Sequence, residues 1–180
     1  MASNNLKVRE RLARGWAAER EIREELELLV GPFIPSGHED DVEDKIDGWL
    51  RMPSGRRMAV QIKSRENGND IIVEVERDGE PGRDMQTAAE LYVCRDMDGA
   101  IHLIRVDDVK FRVGRLMHAF KRLGGRFDRG GWFRSRYGSL RQCRSDRGGV
   151  KVVAFINPEM FGEQRIEGSD SVIRWRRLAA

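Results

Sequence analysis

The chain has 180 residues, with 33 Lys or Arg against 30 Asp or Glu, so its formal net charge is only +3. This length suits one hydrophobic core, and we predict a single α/β domain over residues 1–180. The two cysteines show neither CxxC nor Cys/His spacing, which argues against a disulfide framework and a zinc site. No run approaches the roughly 20 apolar residues of a membrane span, so we expect an intracellular, cytoplasmic protein without a membrane partner.

An amphipathic helix is predicted over residues 5–30, because its apolar positions recur at heptad-like steps: Val8, Leu12, Gly15, Ile22, Leu26 and Leu29. Glu19 falls in the middle of this apolar stripe, and Glu25 lies at its edge. A buried carboxylate without a partner is costly, so Glu19 should reach a metal or a cation. The alternative is a partly exposed Glu19 that pairs with Arg20 or Arg23.

The loop of residues 31–41 is rich in Gly and Pro and then becomes acidic. Asp40, Asp41 and the following Asp44 either add ligands to a nearby site or are simply solvated.

Two strands are predicted next, over residues 44–50 and 57–64, with a turn at residues 52–55. Joined by this turn, they should pair as an antiparallel hairpin. Alternation in the second strand places Ala59, Gln61 and Lys63 on one face and Met58, Val60 and Ile62 on the other. Asp47, near the start of the first strand, should face the end of the second.

The polar residues of this hairpin are suited to a magnesium site. Mg²⁺ takes oxygen ligands and commonly uses one or two carboxylates together with water and substrate phosphate. Asp47 would be the main ligand and Gln61 would add an amide oxygen. Lys63 beside them would neutralise negative charge that grows on a phosphoryl group in the transition state.

With these residues the chain resembles the PD-(D/E)XK nuclease superfamily. The resemblance covers about residues 10–106 and maps Asp47, Gln61 and Lys63 onto the Asp and the Glu-x-Lys of the motif; Gln61 stands where Glu is common. It implies a restriction-endonuclease-like core over about residues 5–106, a mixed sheet flanked by helices in the order α-β-β-β-α-β. Many members also place a Glu on the first helix in the metal site, which implies that role for Glu19, with Glu25 as the alternative.

The remaining elements of this core can be predicted from apolar runs and turn residues. They are a strand at residues 70–76, a short helix at residues 83–90 and a hairpin of residues 91–94 and 100–106. A further helix over residues 109–123 should have its N-cap at Asp107 or Asp108 and its end at Gly124 and Gly125. Residues 150–156 and 172–175 are predicted to form edge strands of a β-rich extension over residues 107–180.

This extension is strongly basic. Residues 110–147 contain twelve Lys or Arg but only two Asp, and Phe, Trp, Tyr and Gly residues are interleaved with them. Arginine offers a planar fork for phosphate, so the segment is typical of a surface that binds a nucleic-acid backbone; the alternative is a solvated basic surface. The candidate contacts are Lys121, Arg122, Arg126, Arg129, Arg134, Arg136, Arg141 and Arg144.

Together with these patterns, the resemblance implies a nuclease that depends on Mg²⁺ or Mn²⁺ and hydrolyses phosphodiester bonds, an endonuclease acting on DNA. Its catalytic residues would be Glu19, Asp47, Gln61 and Lys63, and its metal ligands Asp47, Gln61 and Glu19. Two alternatives stay open: an inactive nucleic-acid-binding module on the same fold, and an RNase. A homodimer is possible, because many nucleases of this kind bring two sites to two strands.

Overall fold

The computed structural model describes residues 2–37, 43–63, 70–95, 100–145, 148–164 and 173–177. In this part of the chain there are two α-helices and twelve strands, a mixed α/β architecture. Their bounds are α1 (Ala2–Leu29), β1 (Phe33–Pro35), β2 (Gly48–Arg51), β3 (Arg57–Lys63), β4 (Ile71–Arg77), β5 (Glu80–Pro81), β6 (Leu91–Arg95), β7 (Ile101–Arg105), α2 (Val106–Arg122), β8 (Trp132–Ser135), β9 (Gly138–Arg144), β10 (Val150–Ile156), β11 (Gly162–Gln164) and β12 (Ile173–Arg177).

The first sheet is mixed. Its five main strands lie in the order β1-β2-β3-β6-β7, and β12 and β11 continue it beyond β7. The β2–β3 and β6–β7 pairs are antiparallel, which confirms both predicted hairpins, whereas β3 and β6 run parallel. The chain therefore leaves the first sheet after β3 and returns to it at β6.

The excursion between β3 and β6 contributes to a second, antiparallel sheet of five strands in the order β5-β4-β10-β9-β8. Its centre is β10, which pairs with β4 on one side and with β9 on the other. The prediction that residues 150–156 form an edge strand is therefore wrong. The pairing of β4 with β10 joins segments more than seventy residues apart, which no local pattern reveals.

Alternating side chains bury both faces of the first sheet. Met58, Val60 and Ile62 of β3 pack with Ile22 and Leu26 of α1 in one core. The other face contributes Tyr92, Cys94 and Ile104 to a second core, together with residues of α2 and of the second sheet. The first sheet thus lies between α1 and a layer made of α2 and the second sheet, and the predicted division of β3 into two faces is confirmed.

Several predicted elements differ in place or type. The strand expected from residue 44 begins only at Gly48, because Lys45 has a φ of 59° and interrupts the extended backbone. The strand expected at residues 70–76 exists as β4 but belongs to the second sheet. The helix expected at residues 83–90 is a 3₁₀ turn limited to Arg83–Met85.

The predicted second helix is confirmed with a shifted start. It begins at Val106, so Asp107 and Asp108 lie in its first turn instead of at the N-cap, where they still complement the helix dipole. Its end agrees with the prediction, since Gly124 and Gly125 follow with φ of 91° and 63°. No helix in the described part of the chain is long and apolar enough to span a membrane.

Candidate metal and nucleic-acid site

Asp47 stands immediately before β2 and is fixed to β3. Its amide donates to the carbonyl of Val60 at 2.8 Å, and its Oδ2 accepts a hydrogen bond from the amide of Ile62 at 2.6 Å. Its own carbonyl accepts from the amide of Ser36 at 3.2 Å. The carboxylate is therefore held against the stretch of β3 that carries Gln61 and Lys63, as the hairpin predicts.

Glu19 approaches Asp47 from α1. Both residues line a pocket of about 300 Å³, together with Trp16, Arg23 and residues 35–37. The Glu19 side chain is about 30% exposed, and its carboxylate lies 3.9 Å from Nη2 of Arg23. Glu19 thus faces this pocket and an arginine, not the core that receives Ile22, so its predicted place in the buried stripe is wrong.

Glu25, the other candidate on this helix, has a different partner. Its carboxylate accepts a hydrogen bond from Arg95 at the end of β6, and the same guanidinium reaches Glu21 at 3.2 Å. This ion-pair group ties α1 to the first sheet. Asp44 is exposed, and its backbone carbonyl accepts from the amide of Ala88. Asp40 and Asp41 lie outside the described residues.

Gln61 and Lys63 meet at a carboxylate that the sequence analysis missed. Asp84, in the 3₁₀ turn, is only 6% exposed, and its Oδ1 accepts from Nε2 of Gln61 at 3.3 Å and from Nζ of Lys63. Its Oδ2 accepts from the amide of Glu74 at 2.7 Å. The turn residues Pro81 and Gly82 are visible in the sequence, but they do not show that the Asp84 side chain turns inward.

Tyr92 completes the surroundings of this buried carboxylate. Its hydroxyl donates to the backbone carbonyl of Asp84 at 3.0 Å, and Nζ of Lys63 lies 5.2 Å from the centre of its ring. Burial raises the pKa of Tyr92, and the charge of Asp84 raises it further. The phenol therefore stays protonated and keeps its role as a donor in a site that already contains a carboxylate.

Gln61 has one buried atom with an unused hydrogen-bonding capacity. Its Nε2 must face the Asp84 carboxylate, because two oxygens would repel, and this fixes the amide orientation. Oε1 then lies buried with no hydrogen-bond partner among the described residues. Leaving such an acceptor unsatisfied costs about 1–3 kcal/mol, so a water or a cation is expected there.

Two carboxylates in one pocket suit a hard divalent cation. Glu19 and Asp47 line this pocket. Gln61 is not among its described lining residues and lies on the strand to which Asp47 is bonded. One or two carboxylates with waters and substrate oxygens are what Mg²⁺ usually takes. The described residues contain no group of three His, Cys, Asp or Glu side chains that would hold a metal without such help.

The predicted basic contacts all lie on the surface. Each of the eight Lys and Arg side chains named above is exposed, on the end of α2, on the following loop, on β8 and β9 or in the turn between these two strands. Trp132 forms the centre of one patch, since the guanidinium carbons of Arg134 and Arg141 lie 5.1 and 5.0 Å from its ring. Stacked cations on an indole form a surface suited to phosphates and bases.

Comparison of the chain with protein-family models, with curated proteins and with solved structures finds no match.

Proposed function

We propose that this protein is a nuclease that depends on Mg²⁺ or Mn²⁺ and hydrolyses phosphodiester bonds, an endonuclease acting on DNA. The observation that carries the proposal is the hydrogen bond from Ile62 to Asp47, which brings the carboxylate to the stretch between Gln61 and Lys63. Glu19, lining the same pocket as Asp47, adds the carboxylate that the resemblance implies.

The proposed core contains α1, β1, β2, β3 and β6 in a restriction-endonuclease-like arrangement. The acidic residue precedes the second of these strands and the Gln-x-Lys lies on the third, as in the PD-(D/E)XK motif. Where the resemblance implies a helix between the third and fourth core strands, this chain has β4, β5 and the 3₁₀ turn. That replacement brings Asp84 to Gln61 and Lys63.

In this proposal Asp47, Glu19 and Gln61 would hold the metal ion, which supplies polarisation of the phosphate and acidification of bound water. Lys63 adds a positive charge next to the scissile phosphate and offsets the negative charge that develops there. Asp84 acts as a positioning residue: it orients the Gln61 amide so that Oε1 points away from it, and it restrains the Lys63 ammonium. It also restores, beside position 61, the negative charge that Gln61 lacks.

The test is cleavage of linear, supercoiled and branched DNA, and of RNA, in Mg²⁺, Mn²⁺ or EDTA. Asp47→Asn keeps the shape of the side chain but removes the charge, and Lys63→Met removes the ammonium. Both should lose metal-dependent cleavage by a factor of at least about 100. Asp44→Asn is the matched control, because Asp44 is an exposed acid of the same segment, and it should cleave normally. Equal cleavage by Asp47→Asn and the native protein would refute the proposal.

A second candidate is a nucleic-acid-binding module without catalysis. The absence of a three-acid metal group among the described residues favours it, as does the engagement of Lys63 by Asp84. It predicts binding that weakens with salt, as for any surface rich in arginine, and no cleavage in either metal. RNA cleaved in preference to DNA would assign the site to an RNase.

A further inference from the structure

A cleft between the C-terminal half of α2 and the turn that joins β8 to β9 collects cations around one tyrosine. It has a volume of about 640 Å³ and is lined by Arg115, His118, Arg122, Arg136, Tyr137 and two apolar residues of α2 and its end. None of these described lining residues is acidic. The cleft is separate from the pocket of Glu19 and Asp47, with which it shares no lining residue.

Two arginines converge on a single oxygen in this cleft. Nη2 of Arg115 and Nη2 of Arg136 donate to the Tyr137 hydroxyl oxygen at 3.0 and 2.8 Å. Since that oxygen accepts both bonds, its own hydrogen is directed elsewhere and can be donated to a ligand. The two hydrogen bonds also lower the pKa of Tyr137, the bond from Arg115 most.

The cationic arrangement is held by the backbone of the β8–β9 turn. A third arginine, Arg112 of α2, donates from Nε to the carbonyl of Tyr137 and from Nη2 to that of Arg136, each at 3.3 Å. Tyr137 is followed by Gly138, which has a φ of 130°, and a Cβ at Gly138 would lie 2.7 Å from the carbonyl oxygen of Phe155. The turn that presents Tyr137 is thus fixed to both α2 and β10.

Like charges gathered without a carboxylate repel one another, and an anion between them would relieve that repulsion. Guanidinium groups that converge on one point suit a compact dianion, whereas a row of separated arginines suits successive phosphodiesters of a backbone. A phosphomonoester carries about −1.5 to −2 charges at neutral pH, against −1 for each internal diester. The convergence on Tyr137 therefore favours a monoester.

We propose that this cleft binds the terminal phosphate of a nucleic-acid strand, with Arg115 and Arg136 as charged donors and the Tyr137 hydroxyl as a neutral one. Arg122 and His118 line the path along which the strand would leave. This inference rests on the proposed interaction with nucleic acid and deepens it, because it assigns part of the basic surface to a strand end instead of to the backbone.

The experiment measures fluorescence anisotropy of labelled single-stranded oligonucleotides in EDTA, so that no metal-dependent cleavage occurs. Three otherwise identical strands carry a 5′-phosphate, a 3′-phosphate or hydroxyls at both ends. The native protein should bind one phosphorylated strand about tenfold more tightly than the hydroxyl strand, which is what one charge-assisted contact can supply. Arg115→Gln and Tyr137→Phe should lose this preference, and Tyr137→Phe leaves the ring in place, so the fold is kept.

Arg141→Gln is the matched control, because Arg141 is an exposed arginine of the same basic surface that contacts Trp132 outside the cleft. It should weaken binding of all three strands equally and leave the preference unchanged. Equal binding of the three strands by the native protein would overturn the proposal. So would displacement of the phosphorylated strand by inorganic phosphate or a mononucleotide at the strand's own concentration, which would assign the cleft to a small phosphate ligand.

These outcomes are separable from those of the nuclease test. End preference in a protein that cleaves nothing supports this cleft and refutes only the nuclease. Metal-dependent cleavage without end preference supports the nuclease and refutes only the proposal for this cleft.

Discussion

The contact between Lys63 and Asp84 gives a prediction whose size follows from burial. Their side chains are 16% and 9% exposed, so the figures for buried ion pairs apply and not those for surface pairs. Removing one partner of a buried pair leaves an uncompensated charge and typically costs about 3–5 kcal/mol. We therefore expect Lys63→Met and Asp84→Asn each to lower the free energy of unfolding by about that amount.

The double variant tests whether the two residues act on each other. Its loss should be smaller than the sum of the two single losses by at least about 2 kcal/mol, because the second change no longer strands a charge. Part of the stability lost in Asp84→Asn should remain lost in the double variant, since Gln61 and the amide of Glu74 also donate to this carboxylate. Urea unfolding followed by tryptophan fluorescence and circular dichroism supplies all four free energies.

Arg56 and Glu90 form the matched control cycle. They are also in direct contact, but their side chains are 63% and 38% exposed. A coupling of about 0–1 kcal/mol is expected there. If the Lys63–Asp84 cycle gives a coupling no larger than the control, or if each single variant costs under about 1 kcal/mol, the buried-pair reasoning is refuted.

Three further predictions concern groups around the two sites. The chain has two tyrosines, and their pKa shifts are opposite: hydrogen bonds from arginines lower that of Tyr137, and burial raises that of Tyr92. Ultraviolet titration should show two separate phenol steps, the first absent in Tyr137→Phe; one coincident step would contradict this. Hydrogen bonding from Arg77 lowers the pKa of Glu74 below 4.5, so its stabilising effect is present above that pH and lost as the pH falls through the folded-state value. Glu74→Gln should therefore be less stable than the native protein at pH 7, and this difference in the free energy of unfolding should disappear in acid. A difference that does not change with pH would count against the assignment. A Cβ at Gly82 would lie 2.2 Å from the carbonyl oxygen of Glu74, so Gly82→Ala should cost about 1–3 kcal/mol in urea unfolding and displace the turn that presents Asp84; native stability would show that the turn adapts.

The predictable part of this fold is local. Period-two alternation in residues 57–63 fixed which side chains of β3 share a face, and a short turn made the β2–β3 partnership the simplest one. These two facts also bring Asp47 to β3. The C-terminal end of α2 followed from the glycines after residue 123, whereas its start did not follow from Asp107 and Asp108.

The parts that the sequence does not reveal depend on contacts between distant segments. Nothing in residues 70–76 indicates that they pair with residues 150–156, because an apolar strand fits either sheet equally well. Asp84 is hidden for the same reason: its burial is a consequence of where β4 and β6 lie, and an acid after Pro81 and Gly82 is usually solvated. In the basic segment, the many arginines obscure the alternation of β9, although Gly138 after Tyr137 is a turn signal.

The contacts of Gln61 and Lys63 with Asp84 give a reason for Gln at position 61. With Glu there, a second carboxylate would lie next to Asp84, and two unit charges 4 Å apart repel by about 4 kcal/mol at an effective dielectric constant of 20. Lys63 offsets part of this repulsion, and a divalent cation would offset more. Gln61→Glu should therefore unfold at lower urea concentration than the native protein at pH 8 in EDTA, and Mg²⁺ or Mn²⁺ should restore much of the difference. Gln61→Met is the control, since it adds no charge and should not respond to the metal. Metal-independent destabilisation of Gln61→Glu would mean that the oxygen at position 61 does not face a cation site, and the unsatisfied Oε1 would then be assigned to a buried water.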